Sequence, residues 1–460
     1  MIFTLLRSRR VIFVSVAMTL AAGACSGGGS DKPDDPCAVG PVEHRPIPIE
    51  EPGRRPPVVD ASQFRTRWPI KHVIFIVKEN RTFDNLFALF PGADGATTGR
   101  LNGKTIPLRQ CIKQRLPSDL IHSYPVALEH WNKGKMDGFG NTGGLARQEA
   151  YSVARRSDVP NYWHLAENYV LSDNFFASAM GPSFPNHLMA IAASSGGTHD
   201  NPEGPRLPAF RKGWGCDSPK ETFVLVEAPD GEITKVPPCF DMLTEGDLLN
   251  RANIPWAFYG AERLHLGYIW QAYNAIRHIR ESDQWDKRVF NVEQVVNDIG
   301  DDRLPPVTWI TPIFQHSDHP DANICDGENW TTQVVNAVME SPQWKDTAIF
   351  ITWDDWGGFY DHVAPKQIDK FGFGFRVPML VISPYAKRGY IDHEQGEFSS
   401  VLRFIEDNWG LTQLTHRDRR ANNLTQAFDF SQEPRPPEPI PLRTDCQTAP
   451  WRELPRAPRV

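Results

Sequence analysis

Five side chains in three separate segments of this 460-residue chain could together bind a cation and a phosphate. Glu79 and Asn80 directly follow the apolar run HVIFIV, and Asp354 and Asp355 follow a second apolar run, TAIFIT. Adjacent buried carboxylates repel one another unless a cation neutralises them, which favours a divalent metal site. Ser183, in GPSFPNH, precedes a helical pattern whose amino terminus could hold an anion such as phosphate.

The elements that must position these side chains are strands and helices in alternation. Short apolar runs without Gly or Pro predict strands buried on both faces, and polar residues at their carboxyl ends face the ligand crevice of an open α/β sheet. The pattern predicts strands at residues 72–77, 170–173, 254–259, 307–310, 347–352 and 378–382. It predicts helices at residues 185–193, 241–253, 330–339 and 399–409. The expected fold class is α/β, with a doubly wound, mostly parallel sheet.

The composition excludes several classes of protein. A hydrophobic fraction of 40% supports a substantial core, and the 14 Trp and 40 Pro are untypical of a helical bundle. A formal net charge of −7 argues against nucleic acid as a partner.

The amino terminus has the features of an export signal. Three arginines precede the apolar stretch Val11–Ala22, which is short for a membrane span, and small residues lead to Cys25. This pattern resembles a bacterial lipoprotein signal, with Cys25 as the lipidated residue. An ordinary cleaved secretory peptide and a twin-arginine signal are the alternatives. We expect a signal at 1–25, a flexible linker at 26–65, a catalytic domain at 66–430 and a Pro-rich tail at 431–460.

The cysteines also favour export, because six remain when Cys25 is set aside and six permit three disulfides. Cys216 and Cys239 flank a predicted β-hairpin that turns at Asp230-Gly231, so we predict a disulfide between them. By elimination, the sequence leaves two further pairs: Cys37 with Cys446, and Cys111 with Cys325.

A family resemblance unites these segments. The motifs ENRTFDNLF, GPSFPNHL and ITWDDWGGFYDHVAP, in this order, resemble the bacterial phosphoesterase family of phosphatidylcholine-type phospholipases C and acid phosphatases. That family belongs to the alkaline phosphatase superfamily, whose sheet type we therefore expect. The resemblance extends to DLIHSY, GKMDGF, SDHP and VPMLVISPYAKRGYI, and covers most of residues 70–410.

The resemblance implies roles for individual residues. It implies that Ser183 is the nucleophile and also touches the metal, whose remaining ligands are Glu79, Asn80, Asp354 and Asp355. It implies that three further residues surround the bound phosphate: His122, Asn186 and His319.

Two histidines stand outside this set. His187 departs from the Arg common in the family at that position, which leaves the substrate open. For His362, in the DHV stretch, packing and hydrogen bonding are the expected role.

The donor set predicts the kind of metal. All five implied contacts are carboxylate, amide or hydroxyl oxygens, which suit one Ca²⁺, Mg²⁺ or Mn²⁺ ion better than Zn²⁺. We expect this metal to lower the pKa of the Ser183 hydroxyl, and His319 to protonate the leaving alcohol.

The expected function is hydrolysis of phospholipid phosphodiesters, as by a phospholipase C, through a phosphoserine intermediate. An acid phosphatase acting on monoesters is the alternative, and a phosphate- or phospholipid-binding lipoprotein is the alternative outside enzymes. A sulfatase is not expected, because the residues around Ser183 lack a sulfatase signature. A lipid anchor at Cys25 would hold the domain at a membrane, and the oligomeric state stays open.

Overall fold

The structure is a computed structural model that describes residues 53–140, 147–205 and 214–446. Its strands are β1 (His72–Lys78), β2 (Thr98–Leu101), β3 (Lys104–Pro107), β4 (Val170–Ser172), β5 (Phe175–Phe176), β6 (Val224–Glu227), β7 (Ile233–Val236), β8 (Trp256–Gly260), β9 (Val289–Asn291), β10 (Val307–Ile310), β11 (Thr347–Trp353), β12 (Met379–Ile382), β13 (Tyr390–Asp392) and β14 (Gly396–Glu397). Its α-helices are α1 (Phe83–Phe87), α2 (Tyr124–Trp131), α3 (Pro160–Asn168), α4 (Ser183–Ala192), α5 (Glu245–Arg251), α6 (Arg277–Arg280), α7 (Asp283–Arg288), α8 (Val295–Gly300), α9 (Ile324–Glu340), α10 (Phe398–Trp409) and α11 (His416–Arg420).

Eight of these strands form one sheet, in the order β13-β4-β12-β11-β1-β10-β8-β9. β1 lies inside the sheet and pairs in parallel with β10 on one side and β11 on the other. Only β12 runs against its two neighbours, β11 and β4, whereas the other pairs in this sheet are parallel. The predicted α/β class with a doubly wound, mostly parallel sheet is confirmed.

The two strands that carry the candidate site are buried along their whole length. All seven residues of β1 and all seven of β11 are buried, as expected for strands covered on both faces. Their register pairs Lys78 with Trp353, and the backbone N–H of Asp354 donates to the carbonyl of Lys78 at 2.9 Å. Glu79 and Asp354 therefore leave the sheet side by side at its carboxyl edge.

The predicted hairpin is present. β6 and β7 pair in antiparallel fashion, Gly231 has φ +90° in the turn, and Cys216 is bonded to Cys239 as predicted. Tight hairpin turns need residues with positive φ, which explains why a glycine occupies position 231.

The other two predicted disulfides are wrong, because Cys325 at the start of α9 is bonded to Cys446. Cys111, predicted to pair with Cys325, is itself disulfide-bonded, and Cys37 lies outside the described residues. The sequence pairing failed because elimination assumed that the two chain ends meet each other. The carboxyl-terminal segment instead lies along α9, where the side-chain oxygen of Asn329 accepts a hydrogen bond from the backbone N–H of Arg443 at 2.8 Å.

Parts of the predicted linker and tail contact the rest of the protein. The predicted signal, with Cys25, lies outside the described residues. Within the predicted linker, residues from 53 onward are described, and Pro56 O accepts from Arg303 at 2.9 Å. Within the predicted tail, Ile440 N donates to Asn336 at 2.9 Å. Among the described helices, none combines the length and the apolar character that a membrane crossing needs.

Candidate active site

Four candidate ligands come from the carboxyl ends of β1 and β11. Asp354 Oδ1 accepts from Asn80 N at 2.9 Å, and Asp355 Oδ1 accepts from Asn80 Nδ2 at 3.0 Å and from Gly357 N at 2.7 Å. These bonds join the two strand ends into one unit. Glu79, Asn80, Asp354 and Asp355 all have no exposed surface.

A strained turn holds this unit together. Asn80 has φ +62°, a left-handed conformation that Asn tolerates better than most residues. Gly357 has φ +56°, and a Cβ there would lie 2.5 Å from the Asn80 carbonyl oxygen. Only glycine therefore fits at 357.

Helix α4 brings Ser183 to the two strand ends. Ser183 is the first residue of α4 and Pro182 is its N-cap, so the serine is not the capping residue. Its Oγ lies 3.3 Å from Glu79 Oε2 and 3.4 Å from Asp355 Oδ2. A hydroxyl has one proton, so it can donate to only one of these carboxylates at a time. The three segments predicted to converge do lie together.

Among the described residues, the charges of this cluster are not balanced by a Lys or Arg side chain. Burial first, and then the charges of Asp354 and Asp355, raise the pKa of Glu79 well above its usual value. Burial and Asp354 likewise raise the pKa of Asp355. In the described part of the chain, no Lys or Arg side chain forms an ion pair with Glu79, Asp354 or Asp355. The cluster therefore favours an added cation.

Unpaired oxygens test whether these residues fit a metal ion. Asn80 Oδ1 and Asp354 Oδ2 are buried and have no hydrogen-bond partner within the described ranges. Buried acceptors are normally paired, because an unpaired one costs about 1–3 kcal/mol. Together with the Glu79, Asp355 and Ser183 oxygens, they form the kind of oxygen-rich donor set that binds a divalent cation. The residues present fit the predicted divalent metal.

His122 lies against this cluster. Its Nδ1 donates to the Leu120 carbonyl at 2.6 Å, and its Nε2 lies 2.9 Å from Asn80 Nδ2. Burial opposes a charge on this ring, but Asp119 and Asp355 outweigh it and raise the pKa of His122 to about 9. Two nitrogens can share a hydrogen bond only when the ring is neutral, so protonation would require the Asn80 amide to turn.

His319 follows β10 and lies beside His122, with ring centroids 6.1 Å apart. The Nδ1 atom of His319 lies 2.5 Å from Asp321 Oδ1. The other ring nitrogen, Nε2, faces the opposite way and lies 3.7 Å from Asp119 Oδ2. Sequence reasoning missed both carboxylates. The signal was present in the spacings, since Asp119 lies three residues before His122 and Asp321 lies two residues after His319.

Asn186 lies in α4, but its amide faces the loop before Ser183. Its Oδ1 accepts from Ala179 N at 2.9 Å, and its Nδ2 lies within 3.2 Å of the carbonyl oxygens of Ala179, Gly181 and Pro182. These bonds fix residues 179–182 ahead of the serine. The contact with phosphate stays a prediction, and it would need one of these bonds to be released.

His187 is the residue whose position the sequence did not foresee. Its Nε2 lies 2.8 Å from Glu79 Oε1 and 3.8 Å from Asp354 Oδ2. Burial lowers the pKa of His187 to about 4, against the attraction of Asp354. The signal in the sequence was its spacing, because residues four apart share one face of a helix and Ser183 is four before it.

His362 lies away from this cluster, within a separate set of charges. Its Nδ1 is 2.8 Å from Asp84 Oδ2, and Arg376 contacts both Asp84 and Asp361 at 3.1 Å. The expected structural role of His362 agrees with these contacts.

The comparison with protein families covers the segments that form this site. The model of the Phosphoesterase family matches residues 70–412, which contain every candidate residue described above.

Named relatives are phospholipases. The hemolytic phospholipase C of Pseudomonas aeruginosa is 25% identical over 432 residues, which are 78% of this chain and 56% of that protein. The non-hemolytic phospholipase C of Burkholderia pseudomallei is 26% identical over 430 residues, 79% of this chain and 59% of that protein. This chain thus spans little more than half of either. Phospholipase C B of Mycobacterium tuberculosis is 24% identical over 446 residues, which cover 80% of both chains.

Solved structures resemble the chain more distantly. Murine ectonucleotide pyrophosphatase/phosphodiesterase 5 matches with a TM-score of 0.39 and 9% identity, covering 78% of this chain and all of that one. A protein of the alkaline phosphatase superfamily from Vibrio parahaemolyticus matches with a TM-score of 0.30 and 12% identity, covering 54% and 60%. No inference about the site rests on likenesses of this size. The family match, which spans well over half of the residues, shows that this chain belongs to the Phosphoesterase family.

Proposed function

We propose that this chain hydrolyses phosphoesters with the help of one divalent metal and through a phosphoserine at Ser183. The observation that carries the proposal is the position of Ser183 Oγ, at 3.3 Å from Glu79 and 3.4 Å from Asp355 in a buried acidic cluster. A hydroxyl so placed has proton acceptors beside it and a metal site within reach. Family membership supports the same reaction class.

The residues divide the chemistry among them. A divalent cation held by Glu79, Asn80, Asp354, Asp355 and Ser183 would supply the positive charge that lowers the pKa of the serine hydroxyl. Ser183 Oγ forms the new bond to phosphorus, and its proton passes to the Glu79 or Asp355 carboxylate.

The leaving alcohol takes a proton from His319 Nε2, since Asp321 holds the other ring nitrogen. Water then attacks the phosphoserine and returns a proton to His319, while the bond from phosphorus to Ser183 Oγ breaks and Ser183 Oγ takes back its proton from Glu79 or Asp355. His122, bonded to Asn80, lies next to His319 and would contact the phosphoryl oxygens.

We propose phospholipid phosphodiesters as the substrate class. The ring of His319 lies 5.3 Å from that of Phe314 and 5.9 Å from that of Trp270, so aromatic faces border the leaving-group side. Such faces can bind a quaternary ammonium head group. Two apolar side chains near it in the chain are solvent-exposed and could contact acyl chains: Ile121, which precedes His122, by 49%, and Leu264, two residues before the Leu266 carbonyl that accepts from Phe314 N, by 51%. The named relatives support the same class.

The test is hydrolysis of three substrates by the full chain: p-nitrophenyl phosphate, p-nitrophenyl phosphorylcholine and phosphatidylcholine vesicles. We expect activity that EDTA abolishes and one added divalent cation restores, with the two diesters preferred. Preference for the monoester would instead favour an acid phosphatase. Binding of phosphatidylcholine vesicles without turnover, under every metal, would favour the binding lipoprotein and refute the enzyme.

Ser183→Ala should lower turnover at least about a thousandfold, because the covalent step is lost. Mass spectrometry after an acid quench should find a phosphoryl group on Ser183 in the parent protein. Ser399→Ala is the matched control, because Ser399 is also buried near the start of a helix and its Oγ has no partner in the described part of the chain. Full activity in Ser183→Ala would refute the nucleophile.

We also propose that the mature chain acts outside the cytoplasm, held at a membrane by a lipid on Cys25. The disulfides Cys216–Cys239 and Cys325–Cys446 support an oxidising compartment. Membrane fractionation tests the anchor, since Cys25→Ser should release the protein from the membrane fraction.

A further inference from the structure

Helix α4 presents two functional atoms to the acidic cluster, and the proposed reaction uses only one of them. Ser183 and His187 are four residues apart in α4, so their side chains lie on the same face of the helix. Both are only 3% exposed. The His187 imidazole has no part in the mechanism proposed above, in which all the metal ligands are oxygens.

The distances around His187 are those of ligands that share an ion. Its Nε2 lies 2.8 Å from Glu79 Oε1 and 3.8 Å from Asp354 Oδ2, and one donor atom from each of the three residues lies within 4.8 Å of the others. Nitrogen and oxygen ligands bind a transition metal at about 2.0–2.2 Å, so two ligands of one ion lie at most about 4.4 Å apart. Both measured contacts fall within that limit.

A hydrogen bond alone explains only part of this arrangement. An N–H donated by His187 to Glu79 accounts for the shorter contact. It leaves Asp354 Oδ2 buried without a partner in the described part of the chain. An ion between the three groups accounts for both contacts and for the unpaired oxygen.

We propose that His187 Nε2 is a nitrogen ligand of the active-site cation, beside Glu79 and Asp354. This inference rests on the metal dependence proposed above and changes the metal class, because imidazole suits zinc, iron and other transition metals better than Ca²⁺ or Mg²⁺. The sequence argument for Ca²⁺, Mg²⁺ or Mn²⁺ assumed a donor set without histidine.

The experiment measures the ligands directly. The full chain is loaded with one equivalent of Zn²⁺, and X-ray absorption records the outer-shell scattering that an imidazole ligand gives. We expect this signal in the parent protein and its loss in His187→Gln, whose amide can still donate to Glu79. By titration calorimetry, His187→Gln should bind Zn²⁺ at least about 10–100-fold more weakly and Ca²⁺ with unchanged affinity.

His72→Gln is the matched control, because His72 is equally buried, at 3%, but lies at the far end of β1 and bonds the Pro305 carbonyl. It should keep the imidazole signal and the Zn²⁺ affinity. Imidazole scattering that persists in His187→Gln, or equal losses of Zn²⁺ and Ca²⁺ affinity, would overturn the proposal. Phosphoester hydrolysis with a metal bound by oxygen alone would overturn it too, while leaving the proposed function intact. A chain that binds metal through His187 but hydrolyses nothing would refute only the proposed function.

Discussion

Two groups of buried carboxylates follow the same pair of strands, and they are neutralised in different ways. The catalytic cluster consists of Glu79, Asp354 and Asp355, directly after β1 and β11. The Arg376 cluster consists of Asp84, Asp361, His362 and Arg376, and its two aspartates lie a few residues further along the same two segments. Each cluster includes two carboxylates that lie close to a histidine. Glu79 and Asp354 lie near His187, and Asp84 and Asp361 lie near His362, with one possible ligand atom of each residue within 4.8 Å of the others.

The difference is the guanidinium. Arg376 is buried and donates to Asp361 and Asp84, so the second cluster carries its own cation. Burial raises the pKa of Asp361 to about 6 in spite of Arg376. The catalytic cluster has no Lys or Arg partner among the described residues, and burial lowers the pKa of His187, the histidine that contacts Glu79. Closeness of ligand atoms therefore does not identify a metal site; uncompensated charge and unpaired oxygens do.

The largest effect should follow from removing the internal cation. Arg376→Met leaves two buried carboxylates without their partner, and breaking a buried pair in this way costs about 3–5 kcal/mol. Urea unfolding of the metal-free protein measures this loss. Arg419→Met, at an exposed arginine, should change stability by less than about 0.5 kcal/mol.

If Arg376→Met lowered the free energy of unfolding by less than about 1 kcal/mol, the charges of Asp84 and Asp361 would have to be neutralised by a group other than Arg376. Should that variant be too unstable to purify, Arg376→Lys retains the charge without the forked donor geometry and should show a smaller loss in the same direction.

In the catalytic cluster, removing a charge should raise the free energy of unfolding rather than lower it. Asp355→Asn keeps an oxygen for Asn80 and Gly357 but removes one of the repelling charges, so in EDTA it should stabilise the protein by about 1–2 kcal/mol. Burial and Asp354 raise the pKa of Asp355. The folded state therefore holds a proton that the unfolded state releases, and the parent loses stability as the pH rises above about 4.

Thermal unfolding in EDTA and with an added divalent cation checks this prediction. The variant should melt above the parent in EDTA and below it with metal, because it binds the ion more weakly. Lower stability of Asp355→Asn in EDTA would show that the carboxylate is not strained by its neighbours.

The sequence predicted one of these two clusters. Strand runs ending on Glu79 and on Asp354 indicated the catalytic cluster, because parallel strands bring their carboxyl ends to one edge and β1 and β11 are neighbours. The register that places Lys78 opposite Trp353 is a tertiary fact, but the local pattern was sufficient without it.

The Arg376 cluster and the disulfide of Cys325 depend on contacts between distant segments, for which the sequence offers no local signal. Arg376 lies 292 residues from Asp84, and Cys446 lies 121 residues from Cys325. The direction of β12 was hidden for a similar reason, because an apolar run has the same pattern whichever way the strand points. His187 is different, because its helical spacing from Ser183 was visible in the sequence. The family resemblance drew attention to the Arg that His187 replaces and not to this spacing.

The smallest effect should be the pH dependence of stability that His362 contributes within the Arg376 cluster. Burial lowers the pKa of His362, but the hydrogen bond and charge of Asp84 outweigh it and raise that pKa to about 9. A raised histidine pKa adds stability that is fully present below the unfolded value, near 6.5, and is lost as the pH rises through 9. Because this ring is 27% exposed, we expect a change of about 1 kcal/mol rather than the full value of the shift.

Urea unfolding of the parent and of His362→Gln at pH 6 and pH 10 measures this term. The parent should be the more stable protein at pH 6, and the difference should shrink by pH 10, where the ring is neutral and its charge no longer attracts Asp84. His265→Gln, at an exposed histidine, should show the same stability as the parent at both pH values. A difference that stays constant from pH 6 to pH 10 would mean that His362 stabilises the cluster by packing alone. The carboxylates there would then be neutralised by Arg376 without help, and the contrast with the catalytic cluster would rest on that one guanidinium.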